Sequence, residues 1–208
     1  MDLALALFSL FSAWFLVLTI PGPNFVAVTQ YSLSDSRRTG FFITLGVSAG
    51  AATWATASLV GISALFAYAS WLYDVIRIIG GIYLVYLGAK IILGSLGAQK
   101  QASTPAPKLG GGKSAFRLGF FTSFSNPKTA AFFSSLFVMS FPPQAPVWFY
   151  VLTVVMVFVA SVFWYGLVTY FFSIEKVQRV YQRSRKIADR ISGAIFIYLG
   201  ARLAFVRS

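Results

Sequence analysis

Residues 3–36 read LALALFSLFSAWFLVLTIPGPNFVAVTQYSLSDS, a run without a single Lys or Arg. A continuous helix over that run would span about 50 Å at about 1.5 Å per residue, whereas the hydrocarbon core of a bilayer is about 30 Å thick. The run therefore reads as a membrane span that is tilted or broken. Pro21, Gly22 and Pro23 mark the break, because a proline ring removes a helical N–H and collides with the preceding turn. Helix one is placed at 5–33. Its apolar start, Leu3 to Ile20, has no basic n-region and no A-x-A-like cleavage site, so it is a retained helix rather than a signal peptide.

The rest of the 208-residue chain has the same character, with 58% hydrophobic and 11% charged residues and a mean hydropathy of +0.76. A soluble domain is roughly 45–50% apolar and about a quarter charged, and a chain of this size has too little interior to hide the excess. Lipid must be the solvent. Further helices are expected at 40–67, 71–94, 115–140, 147–173 and 188–206, with Pro142, Pro143 and Pro146 turning the chain before the fifth. Gly46, Gly50, Ala57 and Gly61 suit close helix contact, either within one chain or between two copies in a homo-oligomer. Residues 95–113, rich in Gly, Ser, Pro, Gln and Lys, read as a flexible extramembrane linker between residues 1–94 and 114–208.

The two halves echo each other. Ile79-Gly80-Gly81-Ile82-Tyr83-Leu84-Val85-Tyr86-Leu87-Gly88-Ala89-Lys90 aligns without gaps with Ile191-Ser192-Gly193-Ala194-Ile195-Phe196-Ile197-Tyr198-Leu199-Gly200-Ala201-Arg202. Helices one and four each carry an Asn beside a Pro, and GFF occurs at Gly40 and at Gly119. A duplicated three-helix unit must enter the membrane in opposite orientations, which is the inverted-repeat plan of many secondary transporters. The other source of the match is convergent packing at the YLG core. The expected fold is an all-α integral membrane protein of six transmembrane helices, arranged as two inverted three-helix repeats with helices one and four broken at Pro.

The formal net charge of +12 does not signal nucleic acid, since the basic residues lie between apolar runs, where they meet anionic lipid headgroups. The loops between helices one and two, three and four, and five and six carry most of the cations, which places them in the cytoplasm and both termini outside. Cys and His are absent, which removes disulfides, thiol nucleophiles, Cys/His metal sites and the usual general base. No cofactor or metal is expected. A membrane-embedded enzyme would need clustered carboxylates, His or a metal site, and the sequence shows none.

Pro21 cannot donate to the carbonyl of Val17, nor Pro23 to that of Thr19, and Pro127 likewise frees the carbonyl of Ser123. In an apolar medium those oxygens need a partner. A substrate ammonium in a central cavity would serve, while the half-helix starting near Asn24 offers free N–H groups to a carboxylate. Asn126, Pro127 and Lys128 sit about ten residues from either end of their apolar run. A Lys at that depth costs several kcal/mol unless it meets water, a partner or a ligand anion. Pro21, Gly22, Pro23, Asn24, Asn126, Pro127 and Lys128 are thus the expected substrate site, with Lys128 drawing the carboxylate. Two simpler uses stand beside it: a kink needed for packing alone, and a Lys that snorkels or caps carbonyls. Asp35 and Asp74 are the candidates for gating or coupling, although each has a local alternative, a solvated loop for Asp35 and an ion pair with Arg77 for Asp74.

Taken together, IPGPN at Ile20 to Asn24, the SRRTGF stretch, GGIYLVYLGAK in helix three, FTSFSNPKTAAFF in helix four and the final IFIYLGAR resemble the LysE/RhtB amino-acid exporters over essentially the whole chain. The resemblance implies a six-helix exporter of the bacterial inner membrane, driven by the proton motive force, that removes amino acids or close relatives from the cytoplasm. Members that export basic amino acids resemble one another in buried carboxylates whose matching positions here are about Gly50 and Phe132. Without a buried anion a second positive charge on the substrate has no counter-ion, so a neutral amino acid is expected: threonine, homoserine, its lactone or a branched-chain type. Exporters of another small solute and non-transporting assembly partners are the alternatives.

Overall fold

A computed structural model describes residues 3–68, 70–96, 109–136 and 145–205, and their secondary structure is all helical. The opening apolar run folds as α1 (Leu3–Thr19) and α2 (Pro23–Ser34), whose axes are bent by 55° at the intervening Ile20, Pro21 and Gly22. Pro23 occupies the first turn of α2, where a missing N–H leaves no bond unmade. Next come α3 (Arg37–Tyr68) and α4 (Ser70–Leu96). The segments Arg37–Gly61 and Ile78–Leu96 are each long and apolar enough to cross a bilayer, as is α7 (Val147–Phe172); the bent α1–α2 pair has the length and composition for a fourth span if it is one broken helix.

Expected helix four is interrupted. It runs as α5 (Gly112–Phe124), then α6 (Pro127–Ala131), which passes into a π-helical turn at Phe132–Leu136. The chain leaves helical geometry at Ser125 and Asn126, just ahead of Pro127, as expected from the bias of a pre-proline residue away from the α region. The last helix differs from expectation at its start. It is α8 (Glu175–Phe205), so the basic stretch 176–190 is its first half rather than a loop before it. That stretch contains no Gly or Pro and is rich in Lys, Arg and Gln, all good helix formers.

Two seams of close backbone contact hold the bundle. In the first, Gly46 lies against the backbone of Phe116 and Phe120, Gly50 against Ser123 and Phe120, and Gly119 of α5 against the carbonyl of Ile43 in α3. The second joins α4 to α8 through the two matching segments. A Cβ on Gly88 would stand 2.5 Å from the carbonyl oxygen of Gly193, one on Gly193 2.6 Å from that of Gly88, and one on Gly200 2.5 Å from that of Gly81. In the alignment of the two segments Gly81 corresponds to Gly193 and Gly88 to Gly200. Each glycine therefore touches the counterpart of the other, the reciprocal pattern that a two-fold axis imposes on an interface.

The seam of α4 and α8 leans on both interruptions. Leu84 and Phe196, themselves aligned residues, pack with Leu87, with Ile20 from the first break and with Ala131 from α6. The larger core lies on the other side and centres on Trp14, whose ring sits 5.1 Å from Phe132 and 4.9 Å from Phe133. Its Nε1 donates to Ser161 Oγ at 3.1 Å and to the Val157 carbonyl at 3.3 Å, tying α1 to α7. Thr44 Oγ1 pairs with Thr169 Oγ1 at 3.0 Å and links α3 to α7. Many outward-facing positions are large and apolar, including Val60, Ile82, Leu93 and Val147, as a lipid surround favours.

Candidate functional site

The two interruptions meet inside the bundle. Asn24, in the first turn of α2, and Asn126, the N-cap of α6, are both buried. Asn126 Nδ2 donates to Asn24 Oδ1 at 2.9 Å, and Asn24 Nδ2 donates to Ser123 Oγ at 3.3 Å. Asn126 Oδ1 accepts the backbone N–H of Lys128 at 3.0 Å, so one side chain caps α6 and holds α2 together. Tyr165 of α7, also buried, faces Asn24.

Lys128 reaches across this junction. Its ammonium donates to the carbonyl of Val17 at 3.0 Å and to that of Ile20 at 2.5 Å. The side chain is 4% exposed. These two carbonyls are its only side-chain partners among the described residues, with no carboxylate beside it. The oxygens orphaned by the break in α1 are thus held by a cation from the other half of the chain. Gly22 lies over the end of that side chain, where a Cβ would come within 3.4 Å of Nζ.

The expected substrate residues Pro21, Gly22, Pro23, Asn24, Asn126, Pro127 and Lys128 all gather here. Of the three expected free carbonyls, that of Val17 accepts from Lys128 and that of Ser123 accepts the N–H of Asn126 at 3.2 Å. Thr19 ends α1, with its hydroxyl turned back to the Leu16 carbonyl at 2.7 Å. Ile20, unmarked by proline arithmetic, supplies the shorter of the two Lys128 contacts. Asp35 lies at the far end of α2, accepting the N–H of Leu109 at 3.5 Å, and does not join the junction. Asp74 falls in α4, but its side chain is outside the described residues.

A cavity of about 530 Å³ opens beside the break, lined by Pro21, Gly22 and Pro23 and by Gln30, Tyr31, Tyr181 and Asp189. Sequence reasoning missed Asp189. The only signal for it was scarcity, since Asp and Glu together number 5. A second cavity of about 520 Å³, also bordered by Pro21, is mostly apolar and includes Trp164, whose buried Nε1 has no hydrogen-bond partner among the described residues. Among the described residues no three His, Cys, Asp or Glu side chains come together. The junction offers carbonyl acceptors for a cation, two amides that both donate and accept, and the start of α2, the end of a helix whose dipole favours an anion. That set suits the two ends of a zwitterion.

The LysE type translocator family model matches residues 15–207. The chain is similar to the threonine efflux protein of Salmonella typhi, 33% identical over 90% of this chain and 91% of that one. It is also similar to the threonine efflux protein of Escherichia coli strain K12, 30% identical with the same coverage. An uncharacterized membrane protein of that strain is 31% identical over 89% of this chain and 82% of its own length. No solved structure matches.

Proposed function

The chain belongs to the LysE type translocator family, and on that premise we propose that it exports a neutral amino acid or close derivative from the cytoplasm. It is a multi-pass protein of the bacterial inner membrane. Threonine, homoserine, homoserine lactone and branched-chain amino acids are the proposed substrate class, with threonine first because two relatives are named for its efflux.

One observation carries the reading: a buried cation from α6 fills an orphaned carbonyl pair in the break of α1 and α2. Carbonyls that accept Lys128 accept a substrate ammonium equally well, and the start of α2 with Asn24 and Asn126 receives the carboxylate. Gly50 and Phe132 support neutrality. Gly50 is packed against Ser123 and Phe120, and Phe132 is a fully buried ring, so neither position offers an anion to a second positive charge.

Transport proceeds by alternating access between two inverted three-helix halves, residues 1–94 and 114–208, joined by the linker 95–113, with both termini outside. The reciprocal glycine contacts of α4 and α8 support that symmetry. The proton motive force drives export, and the basic loops meet anionic lipid headgroups. A homo-oligomer would use a face other than that of Gly46 and Gly50, which pack within one chain.

The test is efflux from vesicles preloaded with an amino-acid mixture under an imposed proton gradient, against vesicles without the protein. Selective loss of threonine or another neutral amino acid is the expected result. Loss of lysine or arginine overturns the reading of Gly50 and Phe132, and no selective loss overturns the amino-acid assignment.

A further inference from the structure

Lys128 is an expensive way to satisfy a helix break. Water, Ser or Asn can bond an orphaned carbonyl in a membrane without burying a charge. Here the partner is a primary ammonium on a flexible stem, bound by two neutral oxygens. The ammonium of an amino acid is the same chemical group. The carbonyl pair of Val17 and Ile20 has no space for both, because two like charges would stand a few ångström apart in a medium that screens them poorly. The cavity reaches Gly22, against the end of the Lys128 side chain, so a solute arriving there meets the site already filled.

Resting on the exporter reading above, we propose that Lys128 is the proton carrier: its ammonium and the substrate's ammonium occupy the Val17 and Ile20 carbonyls in turn, never together. In the cycle the protonated Lys128 fills the site between substrates, through the bonds to Val17 and Ile20. When an amino acid enters, Lys128 gives one proton to the compartment the substrate came from, and the neutral amine withdraws along its stem. The substrate ammonium takes the two carbonyls. After release on the other side, the amine takes one proton from that compartment and returns. One proton crosses for each amino acid, in the opposite direction, with no carboxylate or His needed.

Among the described residues, the groups around Lys128 leave it that role. The described part of α1 has no titratable side chain and α2 has only Tyr31. Lys113 and Arg117 of α5, Arg37 and Arg38 of α3, and Tyr83, Tyr86 and Lys90 of α4 are exposed, away from the junction. In α7 the buried Tyr165 reaches the site through Asn24, while Tyr150 and Tyr170 lie nearer its ends. Asp189 of α8 lines the same cavity as Gly22, while the bonds of the Lys128 ammonium go to the Val17 and Ile20 carbonyls.

The test uses the purified full chain and L-threonine. Wild-type protein in weakly buffered solution should release about one proton per threonine bound. Apparent affinity should fall about tenfold for each unit decrease in pH wherever Lys128 is protonated, since proton and substrate then compete for one site. A cation that stayed charged and moved onto the substrate carboxylate would release no proton and keep its affinity as pH falls, and that result overturns the proposal while leaving the exporter reading intact. If no neutral amino acid is transported or bound, the exporter reading fails first. Among variants, Lys128→Arg keeps a cation that cannot shed its proton and should lower affinity at least tenfold at every pH; affinity within threefold of wild type overturns the proposal. Should that variant not fold, the wild-type proton release decides alone.

Discussion

Adding one methyl group at Gly88 tests the seam between α4 and α8. Its carbon would lie 2.5 Å from the Gly193 carbonyl oxygen and 2.9 Å from Ile197, where close C–H···O contacts in proteins fall at about 3.3–3.6 Å. The helices must separate by close to an ångström, and the neighbouring contacts of Leu84 and Phe196 loosen with them. Overpacking of this kind costs about 1–3 kcal/mol, opposed by the gain of up to about 1 kcal/mol that Ala brings over Gly in a helix. Gly166→Ala is the internal control, because a Cβ there meets nothing within 4 Å. The two substitutions should differ by about 1–3 kcal/mol, the range of the clash. Gly200→Ala, at the aligned position, should match Gly88→Ala. Thermal unfolding in one detergent, followed by tryptophan fluorescence, gives the order of the three. If Gly88→Ala melts at or above Gly166→Ala, the close approach is refuted; if Gly88→Ala and Gly200→Ala differ widely, the reciprocity is.

Three further outcomes follow from the contacts. Trp14→Phe keeps the ring among Phe132 and Phe133 but drops its bonds to Ser161 and Val157, so it should cost about 1 kcal/mol, whereas Trp14→Ala should cost about 3–5 kcal/mol; chemical denaturation of both variants checks the ratio. Asn126→Ala removes the cap of α6 and the bond to Asn24, and should lower stability by about 1–2 kcal/mol and threonine efflux with it, read in melting and vesicle assays. Gly50→Asp should lower expression and melting temperature without conferring lysine efflux, because the new side chain meets Ser123 and Phe120 before it meets a substrate; lysine export by this variant would contradict that.

The breaks were legible because proline acts locally: Pro21, Pro23 and Pro127 each remove a donor whatever surrounds them. The Asn24 and Asn126 pairing was legible only as a similarity between two helices, since their approach depends on how α2 crosses α5. The Ile20 carbonyl was not legible. Loss of the Pro21 and Pro23 donors points to Val17 and Thr19, of which Val17 accepts from Lys128, and the 55° bend sets the Ile20 carbonyl beside it. The start of α8 was misplaced because charge was read as loop, although Glu, Lys, Gln and Arg are strong helix formers. Asp189 escaped for a related reason, as it sits inside that basic stretch and gains meaning only from the cavity it borders.

The bond from Lys128 to Ile20 spans 108 positions of sequence, and that span is also a delay. A ribosome adds about 5–20 residues per second, so the first break waits roughly 5–20 s in the bilayer before its partner is synthesised. During that interval the Val17 and Ile20 oxygens must borrow donors from water or lipid headgroups, which draws the nascent bend toward the membrane surface. Closure of the first span is therefore a late event in biogenesis, and a chain halted before Lys128 would offer an unfinished, wettable helix to the proteases that police membrane insertion.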